Sequence, residues 1–306
     1  MHKSVLLTEC LELLNLNEAS IVVDCTLGYG GHSREILKRI KRGFLFAFDQ
    51  DVEAIESSSK LLETVGSNFT IIYSNFSNLT EELKNRNITK VDAVLFDLGV
   101  SSPQLDTDAR GFSFHNDAWL DMRMDKNRVL TAYKVVNDYS QDDLVKIFFE
   151  YGDEKYARSI AKSIVLYREG KKISTTLELV EIIKKSVPES YKRGKHPARK
   201  VFQALRIEVN NELAVFADGL RQAINLLSVG GRVGVITFHS LEDVICKRIF
   251  KEYSMLDNNL KKLPVVPYEL LPKFKMFGSV KPGDREILEN KRSRSARLRV
   301  IERVRD

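Results

Sequence analysis

Apolar and polar positions along the first hundred residues predict short buried strands that alternate with helices. The four apolar runs of strand length are Ile21–Val23, Phe44–Phe48, Phe69–Tyr73 and Val91–Phe96. Helical periodicity fills the stretches between them, at 33–41, 51–65 and 77–86. Continuous apolar strands joined by helices indicate a parallel sheet covered on both faces. Right-handed crossovers then predict an α/β fold with a doubly wound sheet and a ligand site at the carboxyl ends of its strands.

A helical segment interrupts this alternation. Residues 105–200 have helical periodicity without a convincing strand, and the alternation resumes with a helix near 212–227 and a strand at 232–238. We therefore predict one sheet domain split by a helical insertion. The predicted parts are the first part of the sheet domain at 1–106, the insertion at 107–200 and the second part of the sheet domain at 201–306.

The last forty or so residues give weaker signals. Four of the seven prolines lie between 264 and 282, which predicts an extended surface loop there. Apolar and polar residues alternate over 296–304, which predicts a late edge strand.

Composition places the chain among globular proteins. It has 306 residues, of which 43% are apolar and 29% charged, enough for a sizeable core. Apolar runs stay well short of the ~18 residues that a membrane span needs, and Met1-His2-Lys3 leads into no signal-peptide pattern. The three cysteines, Cys10, Cys25 and Cys246, are too scattered to indicate a disulfide framework or a zinc site. We expect a soluble cytoplasmic protein without a metal site.

Charge is distributed unevenly along the chain. The net charge is +6, yet residues 1–104 carry a balance of −4 and the remainder +10. Residues 184–206 hold eight basic groups against one acidic group, and residues 291–306 hold seven against two. Such blocks are typical of proteins that bind polyanions, although solvated helix faces have the same composition. Both interpretations stay open at this point.

A glycine-rich segment between the first strand and the first helix is the strongest local signal for a cofactor. It reads Asp24-Cys25-Thr26-Leu27-Gly28-Tyr29-Gly30-Gly31-His32. Glycines let the backbone approach a ligand, and the helix that follows offers free N–H groups. Asp49 ends the second strand eighteen residues after Gly31, where a carboxylate can accept hydrogen bonds from the ribose of an adenosine. The alternative is a glycine turn that only makes a tight corner.

The spacing of these glycines favours S-adenosylmethionine over a dinucleotide. A dinucleotide fingerprint has a third glycine that packs the helix on the strand, and Ser33 occupies that position here. S-adenosylmethionine has no pyrophosphate and needs only room for its methionine arm, which Tyr29 and His32 are placed to flank. A solvent-facing first-turn position is the alternative for His32.

The end of the fourth strand carries a short polar turn, Asp97-Leu98-Gly99-Val100-Ser101-Ser102-Pro103-Gln104. Methyltransferases that act on amino groups have such a turn there, and one of its oxygens holds the amine to be methylated. An exocyclic amine conjugated with its ring is a poor nucleophile, so acceptors must orient its N–H bonds. Asp97 is the candidate catalytic residue, and the alternative is an Asp that caps the following turn.

Taken together, these segments resemble the ribosomal RNA small-subunit methyltransferase H family, also called MraW. The blocks that carry the resemblance are Ser4–Leu7, Gly30–Ser33, Asp97–Asp106, Arg110–Phe114, Leu120–Asp125, His196–Ala198, Phe202–Ile207, Phe238–Asp243 and Arg294–Ala296. They span nearly the whole chain in the family's order, and their combination is far more specific than any one of them.

The resemblance implies a class I S-adenosylmethionine-dependent methyltransferase, a Rossmann-like doubly wound sheet with an inserted all-helical domain that recognises the substrate. It implies methylation of N(4) of a cytidine in the decoding centre of 16S ribosomal RNA, position 1402 in the usual ribosomal numbering. The partner would be the small ribosomal subunit, with no membrane, and a homodimer is left open. The implied cofactor contacts are Gly30, Gly31, His32, Asp49, Phe76, Asp97 and Gln104.

Contacts to RNA are the least defined part of these expectations. Other amino-methyltransferases end the strand-four turn with an aromatic that stacks on the target base, and Val100 stands there here. Phe112, Phe114 and Trp119 are candidate replacements, with burial in a core as the alternative for each. The helix predicted at 197–210 places Arg199, Gln203 and Arg206 on one face, so Arg199 and Arg206 are candidates for phosphate contacts. Salt bridges to Glu208 or Glu212 are the alternative.

Other chemistry is disfavoured by its context. Asp121 and Asp125 enclose Arg123, which favours a local ion-pair network over a metal pair. His239 and Ser240 lack the surrounding glycine elbow of a hydrolase. A DNA amino-methyltransferase and a non-enzymatic factor for ribosome assembly stay as alternative functions.

Overall fold

The structure is a computed structural model that describes residues 4–100, 107–194, 196–257 and 259–306. It divides the chain into two compact units. The first unit is formed by Met1–Gly99 and Leu213–Asp306, and the second by Val100–Glu212. The predicted Gln104 contact lies outside the described residues.

The first unit is built on a seven-stranded sheet with the order β3-β2-β1-β4-β5-β7-β6. Its strands are β1 (Ile21–Asp24), β2 (Phe44–Asp49), β3 (Phe69–Tyr73), β4 (Val91–Asp97), β5 (Leu227–Thr237), β6 (Phe274–Val280) and β7 (Arg297–Arg303). The first five strands pair in parallel, whereas β7 pairs antiparallel with both β5 and β6. The expected doubly wound sheet of a class I methyltransferase is confirmed.

Helices precede, connect and follow these strands. In chain order they are α1 (Leu7–Leu13), α2 (Gly31–Arg39), α3 (Val52–Glu63), α4 (Leu79–Lys84), α5 (Ala132–Asp138), α6 (Gln141–Glu150), α7 (Ala157–Gly170), α8 (Thr176–Lys185), α9 (Glu189–Lys192), α10 (Ala198–Asn210), α11 (Glu212–Leu226), α12 (Ser240–Ser254) and α13 (Asp284–Glu289). Within the described part of the chain, no helix has the length and apolar character needed to span a bilayer.

The sheet has a separate apolar layer on each face. Val23 and Phe96 point into one layer, where they meet residues of α11 and α12 such as Phe216 and Phe250. The alternate strand residues point into the other layer, which includes Leu6 and Leu37 of the N-terminal segment and α2. Burial on both faces explains why these strands read as continuous apolar runs rather than as alternating ones.

The far edge of the sheet differs from the prediction. The strand expected at the edge, β7, lies between β5 and β6, and its Leu298 and Ile301 are fully buried. The edge is formed by β6, within the stretch that was predicted to be an extended loop. Its flanking prolines include Pro272 before it and Pro282 after it, so they bracket the strand without interrupting its hydrogen bonds.

The second unit is helical and has its own apolar core. The core is formed by residues of α5 to α8 and α10, together with Phe112 and Leu120 from the segment before α5. The observed unit is longer than the predicted insertion at 107–200. The main reason is α10, which was assigned to the sheet domain, because its Phe202, Leu205 and Val209 pack into this helical core.

Asn210 at the end of α10 makes three hydrogen bonds, two of which fix the segment 122–124. Its Nδ2 donates to the carbonyl oxygens of Met122 (2.8 Å) and Arg206 (2.9 Å), and its Oδ1 accepts from the Met124 amide (2.8 Å). Met122 has a φ of 62°, a left-handed conformation that a side chain disfavours. The buried amide therefore stabilises a backbone turn that is strained on its own.

We expect Asn210→Ala to lower the free energy of unfolding of the second unit by about 1–3 kcal/mol, because it leaves buried backbone groups without partners. Urea unfolding followed by circular dichroism measures this loss. Asn259→Ala, at an exposed asparagine of the first unit, is the matched control. Equal stability of the Asn210 variant and the control would contradict the role of this amide.

Candidate functional site

The loop between β1 and α2 is held in place by a buried carboxylate. Asp24 ends β1, is 1% exposed, and accepts hydrogen bonds from the Thr26 amide (3.0 Å) and the Ser33 hydroxyl (2.7 Å). Burial raises the pKa of this carboxyl despite those hydrogen bonds. Ser33 occupies the position of the third glycine in a dinucleotide fingerprint. The Ser33 hydroxyl therefore connects α2 to the end of β1 by a hydrogen bond, where a glycine would allow close packing instead.

Asp49 at the end of β2 also binds the loop between β1 and α2. Its carboxylate accepts from the amides of Gly28 (2.8 Å) and Asp51 (2.9 Å), so it fixes both the glycine loop and the start of α3. Burial raises its pKa to about 6. Each carboxylate oxygen can accept more than one hydrogen bond, so Asp49 retains capacity for hydroxyl donors of a ligand.

Two glycines of the loop are required by their surroundings. Gly30 has a φ of 76° and lies against Ser58 of α3. A Cβ atom at Gly31 would collide with the side chain of Ser4. Gly31 is also the first residue of α2, whose first turn leaves backbone N–H groups without helical acceptors. The helix therefore begins directly after the loop that Asp49 binds. The free N–H groups of its first turn suit an anionic or polar group of a ligand.

His32 and Asp97 are in contact within the first unit. The Nδ1 atom of His32 lies 3.4 Å from Oδ2 of Asp97, and its Nε2 lies 3.1 Å from the carbonyl oxygen of Val5. His32 is 5% exposed, so the solvent-facing alternative for this side chain is wrong. The amide of Asp97 donates to the hydroxyl of Thr26 (2.6 Å), which fixes the end of β4 against the loop after β1.

The second carboxylate oxygen of Asp97 is an acceptor without a partner. Oδ1 is shielded from solvent and makes no hydrogen bond with any described residue. Leaving such an oxygen unpaired costs free energy unless a donor is supplied. Asp97 Oδ1 at the end of β4 is therefore a candidate acceptor for an N–H or O–H group of a ligand.

Phe76 follows β3 at the same end of the sheet. Its ring packs edge-on against Phe96, with centroids 5.4 Å apart, and lies over Gly219 of α11. A Cβ atom at position 219 would come within 2.7 Å of the ring. The ring is partly exposed and held rigidly, which is compatible with the contact to an adenine that was expected of it.

The structure thus brings Gly30, Gly31, His32, Asp49 and Asp97 together and adds residues that sequence reasoning missed. These are Thr26, Ser33 and Ser58, whose hydroxyls bond to the Asp97 amide, to Asp24 and to the Gly28 carbonyl respectively. The signal for Ser33 was present, because it replaces a glycine at a position where packing is tight. Nothing in the sequence distinguishes Ser58 from other helix serines.

The candidate RNA contacts of the second unit fall into different surroundings. Phe112 is 5% exposed within the helical core, so its proposed stacking on a base is contradicted by its burial. Phe114 is partly buried and stacks on His196, with centroids 4.7 Å apart. Trp119 is half exposed and stacks on Tyr133.

The three polar residues predicted to share one face of α10 have different partners. Arg206 is bound by both oxygens of Glu212, at 2.8 and 2.9 Å, which is the alternative that the sequence left open for it. Gln203 donates to the carbonyl oxygen of Tyr151. Arg199 is exposed, and no ion pair is found for it among the described residues. It is the better candidate for a phosphate contact.

A basic and aromatic cluster lies in the same unit. The ammonium group of Lys155 lies 5.0 Å from the ring of Tyr156 and 5.1 Å from the ring of Tyr191. The Tyr191 hydroxyl donates to the fully buried carboxylate of Glu154 (2.7 Å), so this ring is held rigidly. Burial is the largest cause of the raised pKa of the Tyr191 phenol. Neither tyrosine stood out in the sequence.

The chain is similar in sequence to known proteins along its whole length. The sequence model of the MraW methylase family matches residues 1–304. Ribosomal RNA small subunit methyltransferase H from Exiguobacterium sibiricum is 50% identical over 308 residues, which cover 100% of this chain and 99% of that protein.

Solved structures resemble the chain at low sequence identity. An rRNA methylase from Streptococcus thermophilus has 14% identity and a TM-score of 0.45, with 100% of this chain and 99% of that chain covered. A Streptococcus mutans protein in complex with SAH has 13% identity and a TM-score of 0.45, with 99% of each chain covered. TrmN from Thermus thermophilus has 14% identity and a TM-score of 0.43, with 97% of this chain and 48% of that chain covered.

We expect the affinity for S-adenosylhomocysteine to fall as the pH is lowered through about 6, the pKa of Asp49. We propose that Asp49 accepts the ribose hydroxyls, for which a carboxylate is a stronger acceptor than a protonated carboxyl. If only the ionised form binds, affinity falls by about tenfold per pH unit below this pKa. Titration calorimetry between about pH 8 and about pH 5 measures the effect. Asp49→Asn should bind weakly at every pH, and Glu56→Gln, at an exposed position of α3, should behave as wild type. A flat profile for the wild type would exclude this role of Asp49.

Proposed function

Since the chain belongs to the MraW methylase family, we propose that it transfers a methyl group from S-adenosylmethionine to N(4) of the decoding-centre cytidine in small-subunit ribosomal RNA. The Exiguobacterium relative supports the RNA substrate, because it is half identical along its whole length and is named for small-subunit ribosomal RNA. Such a substrate is a cytoplasmic particle.

The observation that carries this proposal is Asp97 Oδ1, which has no hydrogen-bond partner in the part of the chain that the structure describes. The exocyclic amine of cytosine presents two N–H donors, and its lone pair is delocalised into the ring. An acceptor that binds one N–H turns the amine and exposes the lone pair for attack, and positioning of this kind supplies much of the acceleration. Asp97 Oδ1 is such an acceptor, shielded from bulk water and without a hydrogen-bond partner among the described residues.

The residues around β1 and β2 fit an adenosyl cofactor. Asp49 would accept the ribose hydroxyls, the start of α2 would face the methionine part, and Phe76 would pack beside the adenine. When bound, this cofactor supplies a methyl group on a positively charged sulfur. One carbon–nitrogen bond forms as one carbon–sulfur bond breaks. The products are the methylated amine, S-adenosylhomocysteine and one proton, so atoms and charge balance.

The helical unit is proposed to bind the RNA. Phosphate groups can bind to Arg199 and Lys155, because neither side chain forms an ion pair with a carboxylate among the described contacts. Aromatic rings on which a base can stack are provided by Tyr156, Tyr191 and Phe114. Arg206 is a weaker candidate, because Glu212 already binds its guanidinium group.

Two other functions would leave the same cofactor site in place. A DNA amino-methyltransferase would place methyl groups on DNA, and an assembly factor would bind ribosomal RNA without turnover. Each makes a different prediction for the transfer reaction.

We expect tritium-labelled methyl groups to pass from S-adenosylmethionine to small subunits that lack the modification, with N(4)-methylcytidine as the labelled nucleoside. Asp97→Asn should lower the rate by about 100-fold or more, because its amide is a weaker acceptor and one face becomes a donor. Asp142→Asn, at an exposed position of α6, should leave the rate unchanged.

Mass spectrometry of the digested RNA identifies the methylated atom. A label on a ring carbon of cytosine, or transfer to DNA rather than RNA, would refute the proposed specificity. RNA binding with no S-adenosylhomocysteine produced, from mature subunits and from assembly intermediates alike, would favour the assembly factor.

We expect Arg199→Ala to weaken RNA binding and to reduce the slope of log affinity against log salt by about 1, because one phosphate contact is lost. Affinity for S-adenosylhomocysteine should not change. Fluorescence anisotropy with a labelled decoding-centre RNA measures the slope. Arg285→Ala removes an arginine that is 93% exposed in the first unit, and serves as the control. An unchanged slope would remove Arg199 from the RNA-binding surface.

A further inference from the structure

The imidazole of His32 is enclosed with both ring nitrogens facing oxygen atoms. Nε2 lies 3.1 Å from the Val5 carbonyl oxygen, which can only accept a hydrogen bond, so Nε2 must carry a hydrogen. Nδ1 lies 3.4 Å from Asp97 Oδ2. Without a hydrogen between them, two lone pairs would face each other beside an imidazole that is only 5% exposed. A hydrogen on Nδ1 removes this repulsion and makes the contact an attractive one between an imidazolium and a carboxylate.

We propose that His32 is a positioning residue, whose Nδ1–H binds Asp97 by Oδ2 and thereby turns Oδ1 toward the amine of the substrate. The inference rests on the proposed function and refines it. Thr26 fixes the backbone of Asp97, but only His32 is seen to restrain its carboxylate among the described residues. When Oδ2 is fixed by a hydrogen bond, the carboxylate cannot rotate freely, so the direction of Oδ1 is fixed as well.

The charges around His32 agree with a protonated ring. Asp97 and the buried Asp24 face it from β4 and β1, and Cys10 of α1 lies near both carboxylates. Burial of the imidazole by itself lowers its pKa. The hydrogen bond and charge of Asp97, together with the charge of Asp24, outweigh that effect, and the net result is a pKa above the ordinary 6.5. Burial raises the pKa of the Cys10 thiol well above its usual value, so Cys10 stays neutral.

This assignment differs from a cofactor contact through the ring nitrogens. Both N–H groups of His32 are used within the protein, so neither is available to the methionine part of the cofactor. Loss of His32 should therefore slow the reaction far more than it weakens cofactor binding. A residue that binds the cofactor directly would lose affinity and rate together.

The first test needs neither RNA nor cofactor. Long-range proton–nitrogen NMR spectra of the full chain report the protonation state of each imidazole. His32→Gln identifies the His32 signals, and His115→Asn is the matched control for assignment. We expect the pKa of His32 to lie above the ordinary 6.5, with both ring nitrogens protonated below that pKa, and the pKa to fall in Asp97→Asn. An unchanged titration in Asp97→Asn would overturn the proposal, whatever the substrate is.

The second test separates rate from affinity. His32→Gln should lower kcat by about 10- to 100-fold while the Kd for S-adenosylhomocysteine changes by less than about threefold. In the wild type, kcat should decline as the pH rises through the pKa of His32, because loss of the proton frees Oδ2. This decline should be absent in His32→Gln and in His32→Asn.

The affinity for S-adenosylhomocysteine also shows whether each variant is folded. Variants that bind it normally but react slowly support the positioning role. A decrease in affinity by the same factor as kcat, in both variants, would instead assign His32 to the cofactor and contradict the proposal.

Discussion

The hydroxyl of Thr26 joins the two strand ends on which the site depends. It accepts a hydrogen bond from the Asp97 amide at 2.6 Å and approaches the Asp24 carboxylate at 3.4 Å. The end of β4 is thereby fixed to the loop after β1, which Asp49 holds from the other side through the Gly28 amide. Strand ends of a parallel sheet leave backbone groups unpaired at one edge. Here short polar side chains satisfy several of those groups, while Oδ1 of the Asp97 side chain has no hydrogen-bond partner among the described residues.

Sequence patterns predicted the parts of the fold that depend on local periodicity. The first four strands, the helices between them and the glycine loop all follow from apolar runs and from residue types within a few positions. The order of β6 and β7 could not be predicted in this way, because antiparallel pairing between distant segments leaves no local trace. The prolines near β6 suggested a loop, although in the structure they only flank the strand.

Side-chain partners were harder to predict than positions. The sequence placed Asp97 and His32 near one cofactor, but their mutual contact depends on a rotamer and on the N-terminal segment that brings Val5 to the ring. Arg206 appeared equivalent to Arg199 on a helical wheel. The structure separates them, because Glu212 binds Arg206 with both oxygens, whereas Arg199 extends from the helix surface. Similarly, α10 has an apolar face that fits either unit, and only the structure shows which core it enters.

We propose that Asp97, held by His32, binds the amine that is methylated. The most direct measurement is a crystal structure of the protein with S-adenosylhomocysteine and cytidine. We expect the cytidine N(4) atom to lie within hydrogen-bonding distance of Asp97 Oδ1, and His32 Nδ1 to contact Oδ2. An amine bound by another acceptor, with Asp97 turned away from it, would contradict the account.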